Sequence, residues 1–183
     1  TGRLNSLLPP EDEQARGYVS HIKSVAERTL QAVRNIALLL RPSMLDDLGL
    51  VPALEWQARE ISRHSEMEVE VHADEIPEDV PDEQKTCIYR IAQEALNNAG
   101  RHAGARQATV TLRYREGKLE LSVTDDGRGF DPKTTRGMGI LGMDERVKRL
   151  GGSLSIHSAP GAGTTLHATL PWQQPAAAAK PVN

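Results

Sequence analysis

The chain of 183 residues is poor in cysteine and in aromatic residues, and it has no long hydrophobic run. Its single cysteine, Cys87, excludes a disulfide framework within the chain and favours a reducing compartment. With 3% aromatic residues, the core has to come from Leu, Val, Ile and Ala within the 38% hydrophobic content. No run approaches the roughly 18 residues of a membrane span, and the first residues lack a signal-peptide core. These absences predict a soluble, cytoplasmic region.

Charge of either sign is also not in excess. The 22 basic and 25 acidic residues give a net charge of -3, which provides no general attraction to nucleic acid or to an anionic membrane. We therefore expect no direct binding of nucleic acid. Any anion-binding site has to be local.

The first third of the chain has the pattern of long helices. Pro10 followed by acidic residues is a favourable helix start, and a heptad seam then continues to Leu40. This seam predicts packing against another long helix, which we expect to come from a second copy in a homodimer. It consists of Val19, Ile22, Ala26, Val33, Ile36 and Leu40. A second helical segment runs from Met44 to about His64 and is interrupted near Gly49 and Pro52.

The remainder alternates between strand and helix patterns. Period-two alternation predicts strands over 68–72, 108–114, 119–125, 154–157 and 164–170. Helical spacing predicts a central helix over 88–102 and a short helix over 141–150. These patterns indicate an α+β fold class. We expect residues 173–183 to be a disordered tail.

The central helix carries a polar stripe beside its apolar one. Glu94, Asn98 and the pair Arg101-His102 fall at helical spacing. An amide oxygen such as that of Asn98 suits Mg²⁺, which shares its remaining positions with water and phosphate. Glu94 can orient or deprotonate a nucleophile, and Arg101 and His102 can contact phosphate oxygens.

Two glycine-rich segments follow this helix. Asp125 ends a strand on its inward-facing parity, so its carboxylate needs a polar partner such as an exocyclic amine of adenine. Gly127 and Gly129 let the backbone approach a flat ligand. Gly137 and Gly139 precede a predicted helix start, where exposed N–H groups favour phosphate. Thr164 shares the inward parity of the last strand.

These segments together resemble the ATPase domain of sensor histidine kinases, the GHKL or Bergerat fold. The resemblance implies a two-layer α/β sandwich in which a mixed sheet lies under three helices. The run from Gln93 to Ala103 resembles the N box, Asp125-x-Gly127-x-Gly129 the G1 box, and Gly137-x-Gly139-Ile140-x-Gly142 the G2 box. The segment from Leu40 to Leu54 is similar to the linker of the subfamily that pairs with LuxR-type response regulators.

The resemblance implies ATP and Mg²⁺ as cofactors and transfer of the γ-phosphoryl group to a histidine. It assigns the Mg²⁺ ligand to Asn98, the acid that assists transfer to Glu94 and the adenine contact to Asp125. It implies that the rest of the site is formed by Arg101, His102, Gly127, Gly129, Gly137, Gly139, Ile140, Leu141 and Thr164. The implied partners are a phosphoacceptor helix of the same kinase and a response regulator with a LuxR-type output domain.

One expected element is missing from the sequence. The acceptor histidine of this subfamily lies in a run of the Glu-Leu-His-Asp kind, which does not occur here, and His21 lacks the following acid. The chain begins at Thr1 rather than Met, so we expect the acceptor, with any sensor or membrane anchor, elsewhere in a longer protein. The domains expected are a helical region and linker over 1–64 and the ATP-binding domain over 65–172.

Three alternative functions remain open from the sequence alone. The first is another ATPase of the same superfamily, such as an Hsp90-like, gyrase-like or MutL-like protein. The second is a protein-serine kinase of the anti-sigma type. The third is a dimerisation module whose nucleotide pocket is inactive.

Overall fold

A computed structural model describes residues 18–19, 21–22, 24–25, 43–132 and 137–172 of the chain. The described residues before 26 are helical and belong to a unit that ends at Arg41, whereas those from 43 onward belong to a second unit. Most of the heptad helix and the whole tail after residue 172 lie outside the described residues. Those two predictions therefore remain predictions.

The second unit alternates helices and strands as the sequence predicts. Its helices are α1 (Ser43–Asp47), α2 (Leu50–His64), α3 (Asp82–Asn98) and α4 (Met138–Arg149), and a π-turn (Ala99–Ala103) follows α3 directly. Its strands are β1 (Glu68–Ala73), β2 (Gln107–Arg115), β3 (Lys118–Asp125), β4 (Ser153–Ser158) and β5 (Thr164–Pro171).

The strands form one mixed sheet in the order β1-β2-β3-β5-β4. Strand β1 is parallel to β2, and the other neighbours are antiparallel. Glu116 and Gly117 join β2 to β3 with φ of 50° and 72°, as two-residue hairpin turns require. The register places Asp125, the last residue of β3, opposite Ala108 on one side and Thr164 on the other.

The core lies between one face of this sheet and the helices. Alternate residues of β2, β3 and β5 are buried, and the residues of opposite parity are mainly polar and at least partly exposed. The apolar side of α3 packs on the buried face through Ile88, Ile91, Ala92 and Leu96. This arrangement confirms the α+β sandwich with a mixed sheet.

Helix α2 belongs to the same unit as the sheet. The Ser62 hydroxyl accepts a hydrogen bond from the Val69 N–H of β1 at 3.1 Å. The buried Tyr89 hydroxyl of α3 donates to Gln57 Oε1 of α2 at 2.8 Å. The expected interruption falls at Gly49, which has a φ of 84°, whereas Pro52 lies in the first turn of α2 and does not break it.

Three predicted helix boundaries are wrong. Helix α3 begins at Asp82, six residues before the predicted start, because the Pro81 carbonyl accepts the N–H groups of Gln84 and Lys85 and acidic residues occupy the first turn. Regular α-helix ends at Asn98, and Arg101 and His102 lie in the π-turn, whose extra residue rotates them relative to Glu94. Helix α4 begins at Met138, three residues before the predicted start, because the Gly137 carbonyl accepts the N–H groups of the first turn.

We expect truncation of the α3 core stripe to destabilise the whole unit. Ile91 is fully buried, so Ile91→Ala should lower the free energy of unfolding by about 2–5 kcal/mol through lost burial and a residual cavity. The matched control is Arg113→Ala on the exposed parity of β2, which should change it by less than about 0.5 kcal/mol. Urea unfolding followed by circular dichroism measures both, and equal effects would contradict the described core.

Candidate nucleotide-binding site

Asp125 is the polar end of a buried strand face. Its Oδ1 accepts the Gly127 N–H at 2.9 Å, and Thr164 donates to the same carboxylate through its backbone and its hydroxyl. The end of β3 and the start of β5 therefore meet at Asp125 and Thr164, the two residues that the sequence predicts to face inward.

Burial is the largest influence on this carboxyl and raises its pKa above 3.8. The neighbouring charge of Asp126 raises the pKa as well. Hydrogen bonds from Gly127 and Thr164 lower it, but by less than burial raises it. Because the native pKa is raised, the ionised form of Asp125 costs native stability at neutral pH, and this cost disappears as the pH falls through the native pKa. A carboxylate held at such a cost beside hydrogen-bonding groups is a candidate ligand acceptor.

The loop after Asp125 is closely packed on two neighbouring segments. A Cβ on Gly127 would overlap the Ala103 side chain of the π-turn, and the Arg128 N–H donates to the Ala103 carbonyl at 3.0 Å. Gly129 has a φ of 58°, and a Cβ there would overlap the Ala159 carbonyl in the β4–β5 turn. Backbone packing alone therefore requires glycine at 127 and 129, in addition to any ligand contact.

The start of α4 lies against the central helix. A Cβ on Gly139 would overlap Glu94 Oε1 and lie 3.2 Å from the carboxyl carbon of the same side chain. A Cβ on Gly137 or Gly142 would meet nothing within 4 Å among the described residues. Gly139 thus leaves the space in which the Glu94 carboxylate sits.

The structure brings the predicted residues into two contact groups. One contains Asp125, Gly127, Thr164 and the segment around Gly129, and the other contains Glu94 and Gly139. The remaining predicted residues lie outside these groups. Asn98 is the half-buried last residue of α3, Ile140 is half-buried against the core, and Arg101, His102, Gly137 and Leu141 are exposed.

Sequence reasoning missed Ser158. Its hydroxyl accepts the Phe130 N–H at 2.9 Å, donates to the Gly163 carbonyl at 2.9 Å and lies 3.2 Å from the Thr164 hydroxyl. It therefore holds the loop after Gly129 to the start of β5. The signal available was the inward parity of Ser158 on β4, which matches that of Leu154 and Ile156.

An open cavity of about 490 Å³ lies at the start of β1 and β2 and is not formed by the predicted residues. Its lining contains none of Glu94, Asn98 and Asp125 and consists of Ser62, Ser65, Glu66, Met67, Glu68, Arg106, Gln107 and Asp126. Both serine hydroxyls are already engaged in backbone hydrogen bonds.

The family model for histidine kinase-, DNA gyrase B- and HSP90-like ATPases matches residues 83–174, which include both contact groups of predicted residues. The chain belongs to this family. It therefore contains an ATP-binding ATPase domain, and its relatives are sensor histidine kinases. No described helix has the length and apolar character of a membrane span.

Two curated relatives and one solved structure show the likeness. The chain is 37% identical over 84% of its length to the sensor histidine kinase MctS of Rhizobium johnstonii. It is 32% identical over 87% of its length to the histidine-protein kinase/phosphatase DegS of Brevibacillus brevis. It spans only 33% and 42% of these proteins. The histidine kinase domain of the blue-light activated kinase EL346 of Erythrobacter litoralis matches with a TM-score of 0.56 and 29% identity, over 67% of this chain and 61% of that one.

Asp125→Asn is expected to separate nucleotide binding from stability. The variant keeps an oxygen for the Gly127 N–H but loses the buried charge, so its free energy of unfolding at pH 7 should equal or exceed that of the parent. The NH2 group of the new side chain can face the exocyclic amine of adenine, so that two donors meet and no hydrogen bond forms. ATP affinity should therefore fall about tenfold or more. Calorimetric titration and urea unfolding measure the two effects.

The pH dependence provides the control for this variant. As the pH falls from the raised native pKa towards 3.8, the parent should gain a stabilising contribution from protonating Asp125, and the variant should lack it. Unchanged ATP affinity in Asp125→Asn would contradict the adenine assignment.

Gly139→Ala is expected to displace Glu94 without unfolding the domain. The overlapping atoms belong to the end of the Glu94 side chain, which can move. The rate of phosphoryl transfer from ATP to an acceptor histidine should therefore fall, while the free energy of unfolding is retained or rises with helix propensity. Gly142→Ala is the matched control, since it adds the same methyl group to the same helix in open space. Equal transfer rates in both variants would show that the position of Glu94 against Gly139 is unimportant.

Proposed function

We propose that this chain is the catalytic part of a protein-histidine kinase that transfers the γ-phosphoryl group of ATP to a histidine outside the chain. The observation that carries this proposal is the approach of α4 to α3, which places Glu94 against Gly139 one turn before Asn98. The family match supports ATP as the donor, and the named kinases among the relatives support histidine as the acceptor.

The adenine end of the site is formed by strand ends and loop. Asp125 accepts a hydrogen bond from the exocyclic amine, and Thr164 holds that carboxylate in place. Because Gly127 and Gly129 have no side chain, a flat base can approach the backbone of this loop. Gly137, Ile140 and Leu141, around the start of α4, complete the pocket towards the phosphates.

The phosphate end is formed by α3 and the π-turn. Arg101 and His102 are exposed there and neutralise phosphate charge. Asn98 supplies one amide oxygen to Mg²⁺, which neutralises charge on the phosphates when bound. No group of three or more His, Cys, Asp or Glu among the described residues could hold an ion by itself. The single amide oxygen of Asn98 fits a Mg²⁺ ion whose other ligands come from water and from the phosphates of the nucleotide.

Glu94 acts on the attacking group. Its carboxylate accepts a hydrogen bond from the imidazole of the acceptor histidine and orients the free ring nitrogen towards the γ-phosphorus. A nitrogen–phosphorus bond forms as the bond to the β,γ-bridging oxygen breaks, and ADP carries away that electron pair. The domain contributes positioning and charge neutralisation.

This assignment also implies roles for the other parts of the kinase. Residues 1–64 form the end of the dimerisation region and its linker, of which α2 packs in one unit with the sheet, and residues 65–172 form the ATP-binding domain. The phosphoacceptor helix belongs to the same kinase, which acts as a homodimer at the cytoplasmic side. The phosphoryl group then passes to a response regulator with a LuxR-type output domain, as the linker from Leu40 to Leu54 indicates.

Asn98→Ala tests the binding step. Loss of the amide oxygen should weaken binding of Mg²⁺-ATP about tenfold or more, whereas binding of ATP in the presence of a chelator should change less. The matched control is Asn97→Ala, which removes the same side chain from the neighbouring position. Calorimetric titration of both variants provides the comparison, and an Asn98→Ala protein that binds Mg²⁺-ATP as tightly as the parent would refute the metal assignment.

A further inference from the structure

Asp126 is an exposed loop residue that makes three hydrogen bonds to a distant part of the chain. Its Oδ1 accepts the N–H of Arg106 at 2.8 Å and that of Gln107 at 2.9 Å. Its own N–H donates to the Gln107 carbonyl at 3.2 Å. Three hydrogen bonds therefore join the residue after Asp125 to the start of β2, about twenty positions earlier in the chain.

The two bonds to Oδ1 depend on the charge of Asp126, whereas the bond from its backbone N–H does not. The Gln107 and Arg106 N–H groups lower the pKa of this exposed carboxyl, because both donate to its ionised form. Hydrogen bonds to an ionised acceptor are roughly twice as strong as neutral ones. A carboxylate is therefore the side chain of this length best suited to the position.

The segments joined by Asp126 carry opposite ends of the nucleotide site. Asp125 lies immediately before it in the chain, and the segment on the other side follows the π-turn that contains Arg101 and His102. The Ala105 N–H donates to the Ala99 carbonyl at 3.1 Å, so the residues between the π-turn and β2 form a short, closed connection. Asp126 is therefore one of two links between the end of β3 and the π-turn, and the other is the hydrogen bond from the Arg128 N–H to the Ala103 carbonyl.

We propose that Asp126 is a positioning residue for the nucleotide: its carboxylate holds the adenine-contacting end of β3 at a fixed distance from the phosphate-contacting π-turn. This inference rests on the proposed function, because it assumes that Asp125 and the π-turn contact one ATP molecule. Asp126 itself does not touch the ligand and acts through Asp125 and the backbone of Arg106 and Gln107.

The test compares Asp126→Ala, Asp126→Asn and a control by calorimetric titration with ATP in the presence of Mg²⁺. Asp126→Ala removes the acceptor and should weaken ATP binding about tenfold. Asp126→Asn keeps a neutral acceptor oxygen and should lose less, about two- to fivefold. The control Asp74→Ala removes an exposed aspartate at the opposite end of β1 and should bind like the parent.

A double-mutant cycle distinguishes positioning from a purely structural role. If Asp126 acts through Asp125, Asp126→Ala should have little further effect on ATP affinity in a protein that already carries Asp125→Asn. If it only stabilises the start of β2, urea unfolding of Asp126→Ala should show reduced stability while ATP affinity of the folded protein equals that of the parent. That second result would overturn the proposal.

The outcomes also separate this inference from the proposed function. A parent protein that binds no ATP would refute both, whereas a parent that binds ATP together with an unaffected Asp126→Ala refutes only the role of Asp126. If Asp126→Ala does not fold, Asp126→Asn decides the question, and parent-like affinity in that variant would overturn the proposal.

Discussion

The packing of the apolar stripe of α3 on the sheet is the interaction on which the rest of the structure depends. Ile88, Ile91 and Leu96 are almost completely buried there. Because a helix has 3.6 residues per turn, burial of this stripe fixes the direction of the polar stripe that carries Glu94 and Asn98. The same sheet ends in Asp125 and Thr164, so one core orients both ends of the proposed nucleotide site.

Glycine has two different functions around this core. Gly127 and Gly129 let a loop pack against backbone and side chains of neighbouring segments, and a side chain at either position would clash whether or not a ligand is present. Gly139 instead leaves room for a carboxylate. Gly137 and Gly142 have open surroundings, so steric crowding among the described residues does not explain them. A glycine-rich motif is therefore partly a requirement of the fold and partly one of the ligand.

The sequence predicts those features that depend on local periodicity. The strands, the buried face of α3 and the inward parity of Asp125 and Thr164 all follow from spacing, and the register that places these two residues opposite each other agrees with it. The starts of α3 and α4 and the π-turn were not predicted, although their hydrogen bonds join residues close in sequence, because the spacing of apolar residues does not mark where a helix begins, ends or changes its winding. The hydrogen bonds of Asp126 and Ser158 were missed for a different reason, because their partners are distant in sequence.

The central claim is that this chain donates a phosphoryl group to a histidine that it does not contain. The most direct measurement mixes the chain with radiolabelled ATP, Mg²⁺ and a separate acceptor-helix fragment, and then follows acid-labile phosphate on the fragment, with Glu94→Gln as the matched variant. The account predicts labelling of the fragment by the parent and a rate about 10²- to 10⁴-fold lower for Glu94→Gln. Steady ATP hydrolysis without labelling of any acceptor helix, or equal rates for the two proteins, would contradict it.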